Sequence, residues 1–66
     1  MKITINVGDG LDVNDANCAM EWLFDGGFYK SDVETIHKEH RSGIDIIYHT
    51  TVEGDISIDI MRLELV

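Results

Sequence analysis

Isoleucines at alternate positions near the end of the chain constrain the fold more than any other feature of the sequence. Ile44, Ile46, Tyr48, Thr50 and Val52 alternate with polar residues, and Ile56, Ile58 and Ile60 repeat the pattern after Glu53-Gly54-Asp55. A period of two in β-branched residues puts one face of a strand in the core and the other outside. Two such runs about a glycine form a hairpin. A three-residue loop with Gly54 in the left-handed region brings Val52 opposite Ile56 and Tyr48 opposite Ile60, all on one side. Leu63 and Leu65 have the other parity, and a bulge near Met61 returns them to the core.

The opening segment, residues 1–7, alternates in the same way through Ile3, Ile5 and Val7, and Gly8-Asp9-Gly10 ends it. Between positions 14 and 24 the period becomes helical, with Ala16, Ala19, Met20 and Leu23 on one face. Asn14 is the expected N-cap, Asp15 favours the first turn, and Gly26-Gly27 is the expected stop. Residues 31–41 read two ways. Ser31 and Glu34 form a capping box, Lys38, His40 and Arg41 come late and Ser42-Gly43 follows, so a second helix burying Val33, Ile36, His37 and His40 is expected. The competing strand puts Val33, Thr35 and His37 on the same side as Glu39 and Arg41, an apparent conflict. The expected fold is therefore α+β, in the order β-α-α-β-β: a three-stranded, mostly antiparallel sheet with two helices on one face. The alternative is one helix on a four-stranded antiparallel sheet.

Sixty-six residues make one domain, residues 1–66, with a core worth only about 3–5 kcal/mol. The single cysteine, Cys18, closes no internal bridge, and residues 1–10 lack the charged head and apolar block of an export signal. Cytoplasmic residence is expected, and no apolar run is long enough to span a bilayer.

Thirteen Asp and Glu against five Lys and Arg leave a net charge of −8, and three imidazolium charges would still leave −5. Such a field repels DNA, RNA and anionic lipid and attracts a basic surface. Catalytic chemistry finds no foothold. Nothing in the sequence near Cys18 supplies a cation to activate it as a nucleophile. His37 and His40 supply at most half a zinc site, and His49 stands apart. Asp9, Asp12, Asn14 and Asp15 lack the order of a calcium loop, and the glycines around Asp9 make neither a dinucleotide fingerprint nor a P-loop. The expectation is a non-enzyme without metal or cofactor.

Docking is expected at Asp9, Asp12, Asp15, Glu21 and Asp25 with Trp22 as an outward aromatic anchor. The outer face of the hairpin, through Asp45 and Asp59, offers a second surface. Alternate strand residues stand about 6.6–6.8 Å apart, and two steps along a DNA strand advance about 6.8 Å. The small size, the charge, the free cysteine, the lack of catalytic residues and the α+β pattern together resemble the acidic anti-CRISPR proteins of phages that act as DNA mimics. That resemblance implies a stoichiometric inhibitor, monomer or weak homodimer, occupying a basic nucleic-acid-binding surface of a host defence effector. An immunity protein or antitoxin that caps a basic toxin or nuclease, and a homo-oligomeric structural module, are the alternatives.

Overall fold

The structure, a computed structural model, describes residues 2–27 and 33–63. Its elements run β1 (Ile3–Val7), α1 (Val13–Gly26), β2 (Thr35–Arg41), β3 (Ile44–Thr50) and β4 (Ile56–Arg62). The strands form one sheet in the order β1-β4-β3-β2. β2, β3 and β4 are successive antiparallel neighbours, while β1 lies parallel to β4, so the sheet is mixed. The class is α+β, but the three-stranded sheet with two helices is replaced by one helix on four strands. The structure matches the alternative of one helix on a four-stranded sheet, except that β1 runs parallel to β4 and the sheet is mixed where an antiparallel one was expected.

The expected second helix is a strand because its neighbour offers a complete ladder. Thr35 to Arg41 pairs residue for residue with Thr50 to Ile44. Ser42 and Gly43 both take positive φ, at 53° and 77°, the two-residue turn whose twist suits a hairpin. Seven ladder positions beside a strand rich in isoleucine outweigh a local capping signal worth about 1 kcal/mol. Ser31 lies outside the described residues, and Val33 and Ile36 are exposed, with Ile36 60% accessible. The charges that argued against the strand compensate one another. Glu39 Oε1 lies 3.1 Å from His37 Nε2, its Oε2 lies 3.4 Å from Arg41 Nε, and the Arg41 guanidinium sits 5.1 Å from the centre of the Trp22 ring. Inward charges on an edge strand also discourage pairing with a foreign strand.

The helix is capped by Asp12, two residues before the expected Asn14. Asp12 is extended, and its Oδ1 accepts from the backbone N–H groups of Asn14 and Asp15 at 3.0 and 3.2 Å. Asp15 Oδ2 accepts the Asp12 N–H at 2.9 Å, completing a reciprocal box. An aspartate at the N-cap orients two orphan donors and meets the positive helix end, which leaves Asn14 inside the first turn. Gly27 ends the helix in the left-handed region, as expected.

Ala16, Ala19 and Leu23 bury against Ile44, Ile46, Tyr48, Ile56, Ile58 and Ile60. The two alanines let the helix lie close to the sheet, and the Tyr48 hydroxyl donates to the Ala19 carbonyl at 3.0 Å. Along β3 and β4 Ile44, Ile46, Ile56, Ile58 and Ile60 share a face, as their parity requires, but Tyr48 pairs with Ile58 and Thr50 with Ile56. The register differs from expectation by one pair on each face because the loop spans residues 51–55. Thr51 N–H donates to the Asp55 carbonyl at 2.9 Å, Asp55 N–H to Thr51 Oγ1 at 3.2 Å, and Gly54 takes the expected positive φ. Val52 is thereby thrown outward. No bulge occurs near Met61: the ladder continues through Asp45–Met61 and Ile44–Arg62, so Met61 faces away from the helix. Leu65 lies outside the described residues.

A candidate protein-binding face

In two strands the same alternation that fills the core dictates the opposite face. Three cross-strand rows can be read from the register: Thr4, Ser57, His49 and Ile36; Asn6, Asp59, Ile47 and Lys38; then Met61, Asp45 and His40. This is the side of the sheet away from α1. Ile47 lies at its centre, half-buried by its neighbours, and Met61 is 49% accessible. Met61 borders three shallow depressions, one shared with Asp9 and Asp45, one with Asp59 and Ile47, and one with Lys38 and His40.

Polar contacts fix several of these side chains. Asn6 Nδ2 donates to Asp59 Oδ1 at 2.6 Å, His40 Nδ1 contacts Asp45 Oδ1, and His49 Nε2 lies 3.0 Å from Glu34 Oε1. Asp9 is exposed in the turn after β1. That turn is held by Gly8 N–H on the Ile60 carbonyl at 2.8 Å and by Arg62 Nη2 on the Gly10 carbonyl at 2.9 Å. A Cβ at position 8 would stand 2.8 Å from the Ile60 carbonyl oxygen, so glycine is required for β1 to leave the sheet here.

The acidic residues expected to act together divide between two sides of the molecule. Asp9, Asp45 and Asp59 border the open sheet face. Asp12 and Asp15 are engaged in the helix cap, and Glu21 and Asp25 are exposed on the outer surface of α1, one turn apart. Trp22 is not the outward anchor expected of it: it is half-buried against the core with Arg41 over its ring. Three residues on from Ala19, it is roughly 60° around the helix from that contact. The small alanine lets the indole turn toward the inward side of β2. Cys18 is exposed on the helix. Met61 was missed because the supposed bulge assigned the wrong parity to the residues after Ile60; unbroken alternation was the signal.

On the opposite side of the sheet, Tyr48 ties β3 to the helix. Its ring is 1% accessible, and burial pushes the phenol pKa up to about 12, with the Glu39 charge adding to the shift and Arg41 opposing it. His37 stacks at 6.1 Å on the same ring. Among the described residues no three His, Cys, Asp or Glu side chains converge as metal ligands, and no helix is long and apolar enough to cross a membrane.

Comparison with known protein families, curated proteins and solved structures finds no match. What defines the molecule is its own geometry, an α+β domain with a helix on one side of its sheet and, on the other, an apolar centre bordered by carboxylates.

Proposed function

We propose that the protein is a stoichiometric inhibitor that binds a basic, nucleic-acid-binding surface of another protein and excludes the nucleic acid. One observation carries the reading: the negative charge is little neutralised from within. Among the described residues Arg41 is the sole lysine or arginine in an ion pair, and Asp9, Glu21, Asp25 and Glu53 pair with no cation. Asp25 stands in the last helical turn, which has no basic residue, where a carboxylate opposes the helix dipole by about 0.3–1 kcal/mol.

Asp45 and Asp59 support the same reading on the sheet side. They are diagonal neighbours on adjacent strands, with a typical Cα separation of about 7–8 Å, close to the advance of two steps along a DNA strand, about 6.8 Å. A defence effector that grips DNA through lysines and arginines is the partner class that such spacing and charge would suit. At the β2 edge, Lys38 outward and Glu39 and Arg41 inward disfavour pairing with a second copy.

The test begins with a partner captured from the host and purified. Its DNA binding is then titrated with this protein at about 0.05 M and about 0.5 M salt, where screening lengths differ roughly threefold. Inhibition should saturate at one equivalent and weaken strongly with salt. Salt-indifferent affinity, or inhibition that never saturates, would overturn the proposal.

A further inference from the structure

Building on this reading, we infer that the docking point is the open sheet face at Met61 and Ile47, and that its partner is a basic protein segment presenting one large apolar side chain. Met61 is the residue common to all three depressions, and the residues around it are unevenly charged. On the β1 and β4 side stand Asp9 and Asp59, with Asp45 behind Met61 on β3. The cation there, Arg62, is turned to the Gly10 carbonyl and pairs with none of these carboxylates. On the β2 side stand Lys38 and His40, the latter on Asp45.

The gradient across the face orients the occupant. Its apolar side chain covers Met61 and Ile47, and its lysines or arginines point toward Asp9 and Asp59, away from Lys38. A second copy of this chain would bring −8 against −8, and nucleic acid would set phosphates against carboxylates. A basic polypeptide meets both the apolar centre and the acidic border. The thioether at position 61 is flexible and adapts to different apolar shapes.

The experiment titrates isotope-labelled protein with two short synthetic peptides of lysine and arginine, one with a central leucine and one with serine there. Amide shifts locate the site and Trp22 fluorescence reports the fold. The leucine peptide should bind about tenfold more tightly than the serine peptide, with shifts centred on Ile47, Asp59 and Met61. Met61→Lys should weaken it about tenfold or more, whereas Lys38→Glu should tighten it about threefold. The Lys38 variant keeps the inference exposed to refutation even if the Met61 variant folds poorly, because improved binding is not a consequence of damage. Equal binding of the two peptides, or shifts centred on Glu21 and Asp25, would overturn this site while leaving an acidic binding protein. No binding of either peptide at low salt would overturn both the site and the function proposed above.

Discussion

Replacing Tyr48 with phenylalanine isolates one hydrogen bond and one proton. The hydroxyl donates to Ala19 of the helix at 3.0 Å from within the core, and the Ala19 carbonyl keeps its own helical partner after the change. Loss of the bond should cost about 1 kcal/mol near neutral pH. The alkaline behaviour is more diagnostic. The phenol pKa rises from 10.0 to about 12 on folding, so the neutral form is favoured in the native state. Its contribution is complete below pH 10, declines as pH climbs through the interval, and is exhausted above about 12. Two units at 1.36 kcal/mol each set a ceiling of about 2.7 kcal/mol, and about 2 kcal/mol is expected after partial solvation of the native phenolate. Urea unfolding followed by the single tryptophan, Trp22, should give stability curves for the two proteins that begin about 1 kcal/mol apart and converge, then cross, between about pH 10 and about pH 12. Lysines titrate in that range too, but they are common to both proteins and cancel in the difference. Curves that stay parallel throughout would refute the reasoning, since a group without a raised pKa contributes no such slope.

Asp12→Ala should lower stability by about 1–2 kcal/mol in thermal unfolding, and Asn14→Ala by less than about 0.5 kcal/mol; the reverse order would mean that the cap is misplaced. Gly8→Ala should cost about 1–3 kcal/mol, because the new Cβ meets the Ile60 carbonyl oxygen and β1 must shift. A change within error would mean that the turn is looser than the 2.8 Å approach implies. Arg41→Gln should remove about 1 kcal/mol and shift the Trp22 emission, the ring losing the cation that covers it; an unchanged spectrum would count against that contact.

Where burial decided the structure, the sequence could be read. The alternation of Ile44 to Ile60 identified both strands, their shared inner face and the left-handed Gly54, because a period of two has one solution when one side must be dry. Ala16, Ala19 and Leu23 likewise marked the buried stripe of the helix. The register could not be read, since Thr51 closes its loop through its hydroxyl and adds two residues without changing parity. The strand at 35–41 was hidden for a different reason. Its inward positions are Thr35, His37, Glu39 and Arg41, polar in composition yet held by ion pairs of Glu39 with His37 and Arg41 beside Tyr48 and Trp22, a tertiary compensation that no single-segment pattern encodes. The site was half legible. Asp45 and Asp59 followed from strand parity, whereas Met61 depended on whether the ladder continued, and Trp22 on where Arg41 lay.

The parallel placement of β1 beside β4 has a kinetic consequence. Asn6 meets Asp59 across 53 positions of sequence, while β2, β3 and β4 are joined by short turns. The antiparallel meander can assemble from local contacts, but the leading strand must wait for the last before either edge of that seam is satisfied. The β1–β4 pairing is thus among the last to settle. Until then the inner faces of Ile56, Ile58 and Ile60 lack their flanking strand, and that interval is when the nascent protein is most open to proteases and to mispairing.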